Sequence, residues 1–233
     1  MHGAKIFLQF RIVDLGCGTG STLRALAPRL PGRQDWRLFD NDFDLVARAA
    51  ATAPPATVTV TATPLDLSRD LEASLDGSID LITASALLDL QLVVEILARS
   101  IPLYAAISHD GRIEIVPSDP FDTTIVAAVN LHQRTDKGFG PALGGTSASF
   151  AITRLKSFGY SVIHGTSDWV LEPHACDVQM ELFSSWAATA RQTGQAPVDT
   201  SNWLARRRES IAARQSSIRV GHVDFWAHQT GNL

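Results

Sequence analysis

The sequence predicts an α/β fold built on a doubly wound, largely parallel sheet. Two observations carry that expectation. Apolar and β-branched runs alternate with helical stretches, and five strand-like runs are complete by about residue 108. The first of them leads into Ile12-Val13-Asp14-Leu15-Gly16-Cys17-Gly18-Thr19-Gly20-Ser21. Three alternate glycines let a backbone turn tightly and approach a ligand closely. In sheets of this kind, ligands lie beyond the carboxyl ends of the strands.

The elements follow in order. Strand one covers about residues 10–15, and the next helix about 21–28, with Ser21 or Thr22 as its cap. Residues 36–39 form a short strand ending at Asp40, and the Ala-rich stretch 43–52 is a helix that Asp42 can cap. Residues 57–62 alternate β-branched and small side chains with period two, a strand pattern. Residues 78–84 are a strand, 90–99 a helix and 101–108 a strand. Beyond these, 112–117 is a short strand, 121–134 a helix, and 136–145 an ordered loop with four glycines and a proline. A helix over 146–158 stops at Gly159. Residues 160–166 form a strand that reaches towards Leu171. Helices over 175–191 and 202–214 precede a final strand at 218–228.

At 233 residues the chain has room for one sizeable core. Its apolar fraction of 45% and charged fraction of 19% fit a folded domain. A net charge of −4 and a pI near 5.9 argue against a broad phosphate-binding surface, so nucleic acid is not expected as a partner. The two cysteines form no metal motif and no disulfide framework. There is no secretory leader or membrane-length apolar run, so a cytoplasmic location without membrane association is expected. A homodimer is compatible with the sequence.

The glycine turn separates two ligand classes. A dinucleotide turn is written G-x-G-x-x-G, and aligned on Gly16 and Gly18 its third glycine would fall on Ser21. The pattern present is D-x-G-x-G-x-G. It resembles motif I of the class I S-adenosylmethionine-dependent methyltransferases. Asp40 ends strand two, Asp66 follows strand three and Ser85 follows strand four, where such a fold binds its ligand. Each acidic residue alone could equally be a turn former or helix cap.

The resemblance covers about residues 10–108, and bacterial members of the family share the character of the segment after strand five. It implies a Rossmann-like, seven-stranded sheet with an antiparallel last strand and helices on both faces. It implies S-adenosyl-L-methionine as methyl donor and S-adenosyl-L-homocysteine as product. Carried over, Gly16, Gly18 and Gly20 approach the amino-acid portion of the cofactor, and Asp14 and Cys17 belong to the same cofactor-binding set. Asp40, with Asn41 beside it, holds the ribose hydroxyls. Asp66 bonds the adenine amino group with Leu67 beside the ring, and Ala84 and Ser85 lie near the methionine part. Many family members have helices before strand one that cover the cofactor. Here cover is expected from a partner subunit, from the C-terminal half, or from a longer N-terminus.

One domain over residues 1–233 is expected, with a cofactor half at 10–108 and a substrate-side half at 109–233. Asp89 falls near the mouth of strand four, and the segment 130–144 is dense in glycine and polar residues. Lys137, Phe139 and Trp169 are candidate acceptor contacts. Trp186, on a helix with Met180, Leu182 and Phe183, reads as core, and Arg206-Arg207-Arg208 as a solvated helix face. Methyl transfer from a sulfonium is a single displacement, in which the protein mainly positions donor and acceptor. His132, His109 and Asp89 are candidate bases if the acceptor must lose a proton.

A small-molecule acceptor is expected. A non-catalytic cofactor-binding subunit, and an NAD-dependent oxidoreductase, are the competing readings. Thr83-Ala84-Ser85-Ala86 lacks the Asn/Asp-Pro-Pro-aromatic tetrapeptide associated with amino-group methylation of bases.

Overall fold

The computed structural model describes residues 9–52, 54–87, 94, 97–135, 142–195 and 197–230. In chain order they form β1 (Gln9–Leu15), α1 (Ser21–Leu26), β2 (Arg33–Asp40), α2 (Phe43–Ala50), β3 (Val58–Pro64), α3 (Leu67–Ser74), β4 (Leu81–Ser85) and β5 (Leu103–Val116). There follow α4 (Asp122–His132), a 3-10 turn (Gly144–Thr146), α5 (Ser147–Ser157), β6 (Tyr160–Thr166), β7 (Trp169–Leu171), α6 (Cys176–Gln192), α7 (Pro197–Ala212) and β8 (Ser217–Gln229).

The sheet order is β3-β2-β1-β4-β5-β8-β6, with β7 also on β8. β3, β2, β1, β4 and β5 pair in parallel, and β8 runs antiparallel to β5, β6 and β7. This is the expected seven-position sheet with its last strand reversed. The eighth strand arises because β6 and β7 lie one after the other along the same edge of β8, pairing with 223–229 and 218–220.

Side chains alternate across the central strands, so each face has its own apolar layer. Val13, Leu15, Ile82, Ala84 and Leu103 join Leu71 of α3 and Ala151 and Leu155 of α5 on one face. Ile12, Trp36, Leu38 and Leu81 join Leu23 of α1 and Ala49 of α2 on the other. Asp42 caps α2 as expected, accepting from the Asp44 and Leu45 amides at 2.9 and 3.1 Å. Of the helix expected at 90–99, only residues 94 and 97–99 are described, and of these Val94 and Leu97 are buried.

Residues 101–108 and 112–117, expected as two strands, belong to the single 14-residue strand β5. Asp110-Gly111 reads as a turn, but β8 pairs along both sides of it. The mismatch is absorbed by two irregularities, between Ala105 and Ser108 and between His109 and Ile113. Ile107 adopts φ 55° and Gly111 φ 89°. β5 thereby outruns β4, whose last residue, Ser85, pairs with Ala106.

The overhanging ends of β5 and β8 carry a third apolar layer with α4, α6 and α7. Ile115, Ile218 and Val220 pack with Ile125, Phe183, Trp186, Trp203 and Ile211. Complete burial of Phe183 and Trp203 contributes about 1.5–3 kcal/mol each. Helix α7 starts at Pro197, five residues before the expected start; proline suits a first helical position, where its missing amide costs nothing.

The arginine run on α7 departs from expectation. Arg207 is 2% exposed, bonds both carboxylate oxygens of Asp122, donates to the Pro117 carbonyl at 2.6 Å, and packs against the Phe183 and Trp203 rings. Trp203 Nε1 donates to the same carboxylate at 2.8 Å. Arg206 pairs with Asp119 at the surface, and Arg208 is exposed. Asp122→Ala leaves the buried guanidinium without its counter-charge and is expected to cost about 3–5 kcal/mol in urea denaturation. Arg206→Ala, at the solvated pair, is expected to cost less than about 1 kcal/mol. Equal losses would contradict this assignment of the core.

Candidate functional site

The glycine turn joins β1 to α1 at the carboxyl edge of the sheet. Gly16, Gly18 and Gly20 have φ of 65°, 52° and 79°, all in the left-handed region where side chains are strained. A Cβ added at Gly18 would meet nothing within 4 Å, so the turn faces open space there. The turn docks on β2 through a Cys17 amide bond to the Phe39 carbonyl at 3.0 Å. Gly20 itself starts α1, with no side-chain cap. The expected Ser21 or Thr22 cap is absent; Thr22 Oγ1 instead shares a 2.9 Å hydrogen bond with Ser85 Oγ, tying α1 to the end of β4.

Asp40 stands beside the turn. One carboxylate oxygen accepts from the Gly18 amide at 2.9 Å, and the other from the Asp42 amide at 3.1 Å. Two carboxylate oxygens offer about four acceptor positions, so about two remain. Asn41 next to it is exposed.

Asp14 is fully buried under the turn. Thr83 Oγ1 donates to its Oδ1 at 2.7 Å, while Oδ2 has no partner among the described residues. Burial, opposed by the Thr83 bond and reinforced by the Asp40 charge, pushes its pKa up to about 7. Burial and the same two carboxylates push the Cys17 thiol up to about 12, so it is no nucleophile near neutrality.

Asp66 does what its helix-cap reading offers. Its Oδ1 accepts from the Ser68 hydroxyl at 2.6 Å and the Ser68 amide at 3.0 Å, starting α3. Those bonds hold its carboxyl below the usual range. Leu67 is buried in the core at 7% exposure rather than lying at the surface, and Ala84 is wholly buried.

A cavity of about 230 Å³ opens on the far side of Ser85, starting at Ala86. Ala86 turns away from β4 with φ 57° while its amide still bonds the Ala106 carbonyl at 3.1 Å. The overhang of β5 and β8, α4 and α6 form the walls, and among the described residues no carboxylate, lysine or arginine lines them. Two predicted residues meet here, His109 and Trp169. His132 ends α4 and does not line this cavity; its neighbour Gln133 does. Asp89, Lys137 and Phe139 lie outside the described residues.

Besides Ser147, sequence reasoning missed two polar residues of the cavity, Ser108 and His222. Both are buried, at 3% and 5% exposure. Among the described residues, Ser108 Oγ and His222 Nδ1 have no hydrogen-bond partner. His222 lies on an alternating strand and gives no local signal. The kink that sets Ser108 is held by Asp224, whose Oδ1 accepts from the Ile107 amide at 2.9 Å and the Ser167 hydroxyl at 2.5 Å.

Asp14 also sets a pH dependence. The unfolded chain ionises it near its ordinary value of 3.8, the folded chain at about 7. Between those values the folded state keeps a proton that the unfolded state has lost. The contribution of the protonated carboxyl is therefore complete below about pH 4 and gone above about pH 7. Relative to Asp14→Asn, which does not titrate, the wild type is expected to lose on the order of 4 kcal/mol of stability across that range. Parallel stability curves for the two proteins would refute this.

Residues 12–101 match the family model described as a methyltransferase domain. A stretch of 75 residues is 41% identical to the biotin biosynthesis bifunctional protein BioCD of Bordetella avium (strain 197N), covering 32% of this chain and 15% of that protein. The crystal structure of a cyclopropane-fatty-acyl-phospholipid synthase-like protein from Lactobacillus casei ATCC 334 has a TM-score of 0.51 at 12% identity, covering 91% of this chain and 83% of that one. A methyltransferase from Geobacter sulfurreducens, solved with S-adenosyl-L-homocysteine, has a TM-score of 0.47 at 14% identity, covering 95% and 85%. The D-x-G-x-G-x-G turn falls within the residues that match the methyltransferase-domain model, and the sheet that carries it ends in a reversed last strand.

Proposed function

We propose that this chain moves a methyl group from S-adenosyl-L-methionine to a small molecule held in the cavity beside Ser85. The observation that carries the reading is the placement of two spaces on either side of one strand end. The open face of the glycine turn lies on the α1 side of β4, and the cavity starts at Ala86 on the other.

The residues fit the cofactor. The space over Gly18 accepts a ligand that a side chain would displace, and the acceptor positions left on Asp40 suit two ribose hydroxyls. Asp14, Gly16, Cys17, Gly18 and Gly20 form the floor for the amino-acid portion. Ser85 borders the methionine part and Asp66 the adenine. Asp66 keeps one carboxylate oxygen free of its cap bonds, whereas Leu67, facing inward, supports the site from beneath. When bound, the cofactor supplies an electrophilic methyl on a sulfonium.

The chain's own work is then orientation and exclusion of water. Fixing two reactants in line accounts for a large part of the acceleration of a displacement. The wall of β5, β8, α4 and α6 holds the acceptor at the strand end where the cofactor cleft lies. A non-catalytic binding subunit would need the cleft but not this second cavity. Residues 10–108 serve as the cofactor half and 109–233 as the acceptor half. Among the described residues no helix is long and apolar enough to cross a membrane.

Calorimetric titration with S-adenosyl-L-homocysteine tests the cofactor site. Wild type is expected to bind in the micromolar range, Asp40→Ala at least tenfold more weakly, and NADH not at all. Gly18→Val should abolish binding, since it both fills the open face and strains a left-handed residue. Failure of a folded wild type to bind, or preferential binding of NADH, would overturn the reading.

A further inference from the structure

We propose, resting on that function, that the acceptor is a small neutral aromatic alcohol of the phenol class, methylated on oxygen, and that His222 takes its proton. The cavity sets the size: about 230 Å³ is below the roughly 300 Å³ from which pockets hold drug-sized ligands. A substituted single ring fits that space. The lining sets the charge. Its apolar part includes Ile113, Val129, Leu182 and Val220, and Trp169 and Trp186 add flat aromatic surface. With no carboxylate, guanidinium or ammonium among the described lining residues, a charged acceptor would be desolvated without a counter-ion.

The unpaired polar groups set the functional group. Buried side-chain atoms without partners are rare in native proteins and call for an explanation. Ser108 and His222 together line this one cavity and each carries such an atom. Among the described residues the imidazole of His222 makes no well-formed hydrogen bond: Nδ1 is shut in with only the Val220 carbonyl near the ring, and Nε2 has no partner. A hydroxyl can donate to one group and accept from another, which matches an imidazole nitrogen and a serine hydroxyl on the wall of one cavity. His109, the histidine that the sequence singled out, is already engaged. Its Nδ1 lies 3.2 Å from the Gly221 carbonyl and its Nε2 3.3 Å from Asn130 Oδ1. Asn130 is oriented in turn by donating to the Gly111 carbonyl at 3.0 Å. His109 therefore acts as a wall and a positioning residue.

The electrostatics agree. Burial, and then the nearby His109, hold the His222 imidazole below its ordinary pKa of 6.5, against weaker opposing effects of the Val220 carbonyl, Asp110 and Asp168. Asp168 is itself compensated by Arg112 and Arg219, and it accepts from the His222 amide at 3.2 Å. The ring is thus neutral and able to accept a proton near pH 7. The step balances simply. The oxygen–carbon bond forms as the carbon–sulfur bond of the sulfonium breaks, sulfur keeps the electron pair, and the hydroxyl proton passes to His222 and on to water.

The test uses the full chain loaded with S-adenosyl-L-homocysteine for binding and with S-adenosyl-L-methionine for turnover. The probes are p-cresol and catechol, against benzoate and benzylamine of similar size. Cresol or catechol is expected to bind the loaded protein, quench Trp169 fluorescence and yield the aryl methyl ether. His222→Gln should lower that turnover by about a hundredfold or more, within the usual range for general bases, with homocysteine-product affinity unchanged. Ser108→Ala should weaken the phenol more than the cofactor. The kcat–pH profile should rise to a plateau below pH 6.5 and lose that limb in His222→Gln. Binding of S-adenosyl-L-homocysteine with no binding of either phenol, or preference for the charged probes, overturns the inference and leaves the methyltransferase reading standing. Wild-type turnover by a folded His222→Gln protein also overturns it. Absence of any S-adenosyl-L-homocysteine binding overturns the function itself.

Discussion

The Asp224 carboxylate holds the kink of β5 beside the cavity. A strand that keeps perfect register with β8 would run straight past the sheet edge and present alternate residues to its two faces. β5 instead breaks register at Ile107, in a backbone region unfavourable for a β-branched residue. The Ile107 amide, which the kink would leave without a strand partner, donates to Asp224, and the same carboxylate accepts from Tyr104 and Ser167. Tyr104 and Ser167 lie before the kink and at the junction between β6 and β7. One side chain thus ties together three edges, and everything beyond them inherits its position: Ser108, His109, the β8 residues opposite, and the helices packed on the overhang.

The segment before α5 lies close against the second irregularity of β5, at Gly111. A Cβ on Gly145 would fall 2.9 Å from the Gly111 amide nitrogen, so only glycine lets that turn lie against β5. The glycine-rich stretch expected to approach a ligand does bring its described end to the site, but the contact there is backbone on backbone. Asn130 and Gln133 then fill the space between α4 and the kink.

Sequence reasoning succeeded where the determinants are local. Glycines 16, 18 and 20 need no partner to demand left-handed backbone, the β-branched alternation of β3 is a strand wherever it occurs, and Asp42 caps a helix two residues on. Reasoning faltered where the determinant is a distant partner. Arg207 is buried because Asp122, 85 residues earlier, neutralises it, and three consecutive arginines give no hint of that. Asp110-Gly111 is a turn in isolation and part of a strand when β8 lies alongside. Asp66 offered a cap and a ligand contact, and geometry shows the cap on one oxygen and a surface ion pair with Arg69 on the other. His222 could be recognised only once β5 and β8 were paired, which brings it within 5.9 Å of His109 and 5.0 Å of Trp169, ring centre to ring centre.

The bond between Asp40 and the Gly18 amide has a kinetic consequence. Three glycines in seven residues would ordinarily leave a turn to sample many conformations, and a ligand would have to freeze them on arrival. Here the carboxylate and the Phe39 carbonyl already brace the turn from β2. The loss of chain entropy is met when the protein folds rather than at each encounter with ligand. A nucleoside entering this cleft meets a rigid surface, so its association is governed by diffusion and orientation, and its residence time by the contacts it makes.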